Sequence, residues 1–144
     1  MSTRSHIMCE VGDDRNIISS YCHMDGYIDG VGKTLLTHYN DPLKAYDLVK
    51  VGYMSSCCDT IEEIKETRVN KDEPIVYRDL EGAFRDLDPL FIEYVYFWDG
   101  KAWNVSFSQS VEKPSDALQV RYGNHFYYHS NFKRLDDLIN LEVA

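Results

Sequence analysis

The segment from Ile92 to Ser108 constrains the fold more than any other stretch of the chain. Two aromatic-rich runs flank Asp99-Gly100, a pair that suits a two-residue hairpin turn because a type I′ turn needs positive φ at both central positions. With those residues as the turn, Tyr96 faces Trp103, Tyr94 faces Val105 and Ile92 faces Phe107. Alternation places all six side chains on one side of the ribbon. The other side carries Glu93, Val95, Phe97, Ala102, Asn104 and Ser106, a more mixed set. Cross-strand aromatic pairs contribute up to ~1 kcal/mol each, so the first side is built to be buried. A chain with such a ribbon must cover it with helices or a second sheet.

Helix and strand signals supply the cover. His6–Val11 and Ile17–His23 flank Gly12-Asp13-Asp14-Arg15-Asn16, and Leu118–Tyr122 and His125–Tyr128 flank Gly123-Asn124; both read as hairpins. Between them, Asp29 is placed to cap a helix carrying Val31, Leu35, Leu36 and Tyr39 on one face. Asp41-Pro42 opens a second helix that stops at Gly52, with Leu43, Tyr46 and Val49, or Ala45 and Val49, as its apolar stripe. Thr60-x-x-Glu63 is a capping box for a third, Ile75-Val76-Tyr77 is a short strand, and Ser130 precedes a last helix with Phe132, Leu135, Leu138 and Ile139 at helical spacing. Helices that interrupt hairpins, rather than alternating with single strands, predict an α+β fold. Its sheet is expected to be mostly antiparallel, built from hairpins and packed against three to four helices in one domain over residues 1–144. A chain of 144 residues is long enough to bury roughly two-thirds of its unfolded surface, so neither disulfide nor metal is required. With 44% apolar residues, eight Gly and four Pro, it is not a disordered or collagen-like sequence. Its apolar runs fall short of the ~20 residues of a membrane helix. Met1–Glu10 lacks the apolar stretch of a secretory leader, and the expectation is a cytosolic chain.

The chemistry-bearing stretch is His23-Met24-Asp25-Gly26-Tyr27-Ile28-Asp29-Gly30-Val31-Gly32-Lys33-Thr34. Gly30-Val31-Gly32-Lys33-Thr34 ends like a phosphate-binding loop, but the first glycine of that pattern would fall at Tyr27, with Gly26 one residue too early. Nucleotide hydrolysis is therefore disfavoured, and a tight packing turn is the stronger account. A ligand-handling alternative would use His23, Asp25, Gly26, Tyr27, Gly30, Gly32 and Lys33, with anion recognition by backbone N–H groups. His23 with Asp25, and His38 later, could serve acid–base chemistry. No activated Ser or Cys accompanies them, and His125 and His129 read as surface or packing residues rather than ligands. Cys9, Cys22, Cys57 and Cys58 have no zinc-knuckle spacing and read as reduced thiols; a zinc site from Cys9, Cys22 and His23 has no local pattern behind it. No catalytic residue, metal or cofactor is assigned.

Charge carries more. Fifteen Lys+Arg against 24 Asp+Glu give a net charge of −9, which argues against direct nucleic-acid binding. From Asp59 to Asp99 there are twelve acidic and five basic residues, a local −7. The plain account is a solubilising surface. The sharper one is a nucleic-acid-mimicking face, including Asp79, Glu81, Asp86 and Asp88, that docks on a basic partner protein.

Ser2-Thr3-Arg4-Ser5, Tyr21-Cys22-His23-Met24-Asp25-Gly26-Tyr27 with Leu35-Leu36-Thr37-His38-Tyr39, and Val51-Gly52-Tyr53-Met54-Ser55-Ser56 resemble a family of small uncharacterised proteins of tailed bacteriophages and prophages. That family typically carries a Thr-Arg-Ser start, a His-Trp-Asp-Gly-Tyr-Pro box and Leu-Leu-x-His-Tyr. This chain departs from it at Met24 and Ile28, where Trp and Pro are usual, and the likeness covers about the first 56 residues. The resemblance implies a phage-encoded accessory protein acting in the host cytoplasm. The expectation is a non-enzymatic anti-defence or host-takeover factor that binds and inhibits a host protein, without direct nucleic-acid or membrane contact and compatible with a homo-oligomer.

Overall fold

The computed structural model describes residues 3–12, 14–111, 119–122 and 125–139, and it puts the aromatic ribbon at the centre of the sheet. The strands are β1 (Arg4–Val11), β2 (Asn16–Cys22), β3 (Ile75–Tyr77), β4 (Ile92–Trp98), β5 (Trp103–Val111), β6 (Gln119–Tyr122), β7 (His125–His129) and β8 (Lys133–Arg134). Their spatial order is β3-β2-β1-β4-β5-β7-β6, with β8 paired to β5. The three expected hairpins form as β1–β2, β4–β5 and β6–β7, all antiparallel; the Gly123-Asn124 turn itself lies outside the described residues. At the middle, however, β1 runs parallel to β4, from Ser5 beside Tyr94 to Cys9 beside Trp98. The fold is α+β, and the sheet is mixed rather than mostly antiparallel. A parallel pair needs a crossover, and the chain between β2 and β4 supplies it with most of the helices.

Five α-helices stand among the described residues, not three to four: α1 (Lys33–His38), α2 (Pro42–Val49), α3 (Ile61–Thr67), α4 (Leu80–Asp86) and α5 (Leu135–Leu138). Two start as their sequences dictate. The Asp41 carboxylate accepts from the Lys44 N–H at 2.8 Å, and Thr60 Oγ1 accepts from the Glu63 N–H at 3.2 Å. Ala45, Leu48 and Val49 are the buried face of α2, while Leu43 and Tyr46 are exposed. Two starts differ from expectation. Asp29 caps nothing: it lies within a π-helical turn, Ile28–Gly32, that runs directly into α1. Ser130 caps no helix either, because its hydroxyl accepts from the Phe107 N–H at 3.0 Å and so fastens the segment to β5.

The β4–β5 register also departs from the two-residue turn. Trp98 faces Trp103, Tyr96 faces Val105 and Tyr94 faces Phe107. Asp99 explains the shift, since its carboxylate accepts from the Lys101 and Ala102 N–H groups at 2.9 Å each and its own N–H donates to Ala102. The loop therefore holds four residues. A two-residue slip preserves side-chain parity, so the aromatic face survives. Ile92 does not stay on it, because an irregularity against Arg4 and Ser5 turns it to the other side.

Both sides of the sheet are covered. On the first, Ile7, Tyr96, Trp98, Trp103 and Val105 pack against α1, α2, α3 and α5 through Leu35, Leu48, Ile64 and Leu135. On the second, Met8, Ile17, Val95 and Phe97 pack against Ala83 of α4 and Leu87 just after it. Burial of each large apolar side chain contributes ~1.5–3 kcal/mol, which makes the first side the main source of stability. Among the described residues no helix is long and apolar enough to cross a membrane.

Candidate functional site

The glycine-rich turn is held from all directions. Gly26 donates its N–H to the Thr3 carbonyl at 2.9 Å, and its own carbonyl accepts from the buried Tyr96 hydroxyl at 2.6 Å. The Gly30 and Val31 N–H groups go to the Tyr27 and Asp25 carbonyls, both at 2.9 Å, and the Lys33 N–H goes to the Gly30 and Ile28 carbonyls. Thr34 Oγ1 donates to the Gly30 carbonyl at 3.2 Å. Amides committed in this way are not available to a phosphate. The glycines are close-approach positions: a Cβ on Gly26 would lie 2.8 Å from the Thr3 carbonyl oxygen, and one on Gly32 would lie 3.1 Å from Leu135. Asp25 adopts φ +59°, the left-handed conformation that lets the chain double back.

The turn brings Asp25, Tyr27 and Gly30 of the ligand-handling alternative together, and Gly30 and Lys33 share one depression. Lys33 and Tyr27 point outward, Gly26 and Gly32 are buried, and His23 is engaged from Nδ1 by the Tyr21 hydroxyl at 2.7 Å. His38 contacts Asp59 at 3.4 Å instead of pairing with Asp25. Around Lys33, Thr37, His38 and Asp59 there is only a shallow depression of about 240 Å³. Cys9 and Cys22 both face the first core while His23 faces the other way, and all four cysteines are free. Burial pushes the Cys9 and Cys22 thiols up to about 12, so both stay protonated and unreactive.

Compared with family models, curated proteins and solved structures, the chain matches none. Function rests on its own geometry.

The acidic stretch divides. Ile64 of α3 sits in the first core and Ala83 of α4 in the second, so the carboxylates at 62, 63 and 66 lie across the sheet from those at 79, 81 and 86. The expected continuous acidic face is therefore two smaller ones. The four singled-out residues remain together on α4 and its flanks, with distinct local tasks. Asp79 caps α4 by accepting from the Gly82 N–H at 2.7 Å, and Glu81 pairs with Arg85 at 3.0 Å. Asp86 lies beside Tyr77; burial first and this carboxylate second push the phenol up to about 12. Asp88 is half-buried and accepts from the Leu90 N–H at 2.9 Å, building the turn into β4. Next to them runs β3, the outermost strand on its side, with Ile75 49% and Val76 59% exposed. Sequence reasoning recognises that strand but not that α4 is laid against it. Leu80, Ala83, Phe84 and Leu87 behind an Asp cap were the available signal.

The second core also holds polar groups that the sequence does not reveal. His6 is 8% exposed, with Nδ1 2.8 Å from Ser19 Oγ and its ring against Tyr21. Burial pushes it down to about 4, with the charge of His129 as a lesser cause. His129 packs edge-on against Phe84, and both of its ring nitrogens are buried without a hydrogen-bond partner among the described residues. Burial takes it to about 4 as well, opposed by Asp88. Two neutral imidazoles so placed serve packing near neutral pH, not acid–base work.

Proposed function

We propose that this protein is a non-enzymatic binding protein that docks a basic surface of a partner through the flank formed by α4 and β3. One observation carries the reading: Asp79, Glu81 and Asp86 are exposed beside an outermost strand that offers Ile75 and Val76 to solvent. Apolar anchors inside a charged margin are the usual make-up of a protein interface. The charge steers an oppositely charged partner, and the apolar contacts retain it. Mimicry of nucleic acid over the whole acidic stretch loses support once that stretch is split by the sheet. The reading thus narrows to one flank, with Asp88 its least accessible member.

The phage-like residues of the first 56 positions supply the context. They imply a host protein as partner, the host cytoplasm as compartment, and inhibition of a defence or nucleic-acid-handling enzyme as the outcome. The glycine turn then supports the flank from the far side of the sheet and does no chemistry of its own. Affinity capture from bacterial lysate tests this reading. A stoichiometric partner retained at low salt and released as ionic strength rises is the expected result. Absence of any such partner at both low and moderate salt overturns it.

A further inference from the structure

A cleft of about 550 Å³ opens between α2, α3 and the loop before β3, and its charge is opposite to that of the chain. Lys50, Lys65, Arg68 and Lys71 line it with only Asp47 and Glu73 as acids. Four of the fifteen cations of a −9 protein thus gather at one opening. Lys50 is paired with Asp47 at 3.3 Å. Lys65, Arg68 and Lys71 form no ion pair among the described residues. Arg68 is the fixed member. One Nη donates to the Val51 carbonyl at 3.1 Å, while its Nε is buried with no partner. A guanidinium with one neutral acceptor and no ion pair among the described residues lacks a countercharge, which a bound anion would supply through the Nη groups. Val51, Ile61 and Pro74 add apolar wall.

We propose that this cleft binds a small organic phosphate of mononucleotide size. The cations would hold the phosphate, with Arg68 as the positioned fork and Lys65 and Lys71 as mobile point charges. The apolar wall would take the organic part, and the volume lies in the range of ordinary small-ligand sites. The site is separate from the glycine turn, whose amides are already committed, and from the α4–β3 flank, so it stands or falls independently of partner binding.

Isothermal titration of the full-length protein at low salt, with adenosine 5′-monophosphate and with inorganic phosphate as probes, tests it. Adenosine monophosphate is expected to bind about tenfold more tightly than inorganic phosphate. Its affinity should fall at least about tenfold in Lys65→Ala/Lys71→Ala, two exposed positions whose loss leaves the core intact. Lys33→Ala, at the glycine turn, should bind like the parent chain. No heat from either probe at millimolar concentration, equal affinity for the two probes, or unchanged binding in the double variant would each overturn the proposal. Unaltered circular dichroism and unfolding midpoint in the double variant secure the comparison.

Discussion

The two sides of the sheet are built on different terms. The first buries Trp103, Tyr96, Leu35, Leu48 and Ile64 completely under four helices. Of the polar groups it takes in, Tyr96 Oη donates to the Gly26 carbonyl and Trp103 Nε1 to the Tyr39 carbonyl at 3.0 Å, while Ser5 Oγ is buried without a partner among the described residues. The second has a single helix over it among the described residues, and buries His6 and Ser19 beside Met8 and Ile17. The contrast teaches where stability and where interaction reside. A dry, many-helix side can carry the fold, which frees the thinly covered side to expose a charged helix and an unpaired strand edge.

That division can be broken most forcefully at the first core. Trp103→Ala should cost about 3–5 kcal/mol in urea unfolding, more than Leu87→Ala under α4. Equal losses would mean that the two sides share the load. Acid should act on the second side. Both histidines have folded pKa values near 4 against 6.5 in the unfolded chain. The unfolded state therefore binds more protons between those values, and stability is full above pH 6.5 and declines as pH falls toward 4. For His6 the loss is on the order of 3 kcal/mol by pH 4. His6→Asn should flatten the decline in that window, as followed by thermal unfolding against pH; an unchanged slope would show that the imidazole is not the titrating group. Asp79→Ala removes only a helix cap, so a loss of ~1 kcal/mol is expected in the same unfolding assay.

Much of this was legible from residues. The aromatic face of Ile92–Ser108, the Asp41 and Thr60 caps and the first hairpin all rest on local signals that no tertiary contact overrides. The register of β4–β5 was harder, because Asp99 can either enter a type I′ turn or bind the amides after it, and here it does the latter. Ser130 failed as a cap for a related reason: its hydroxyl had a better donor in Phe107, distant in sequence. The parallel β1–β4 pair joins segments more than 80 residues apart, and no local pattern encodes it. Among candidate site residues, Asp79, Glu81 and Asp86 keep company in space because one helix carries them or its cap. The glycine-turn set also lies together, but its glycines are spent on close packing. The cationic cleft was hidden by counting net charge, which averages Lys50, Lys65, Arg68 and Lys71 into the acids around them.

The central claim is that the α4 flank, and not acidity in general, recognises the partner. Lysate capture should be run in parallel with the parent chain, with Asp79→Lys/Glu81→Lys/Asp86→Lys, and with Glu62→Lys/Glu63→Lys/Glu66→Lys in α3, which changes net charge by the same amount on the opposite side. The account predicts that the α4 reversal loses the partner while the α3 reversal retains it. Equal loss in both variants, or retention by the α4 reversal, would contradict it.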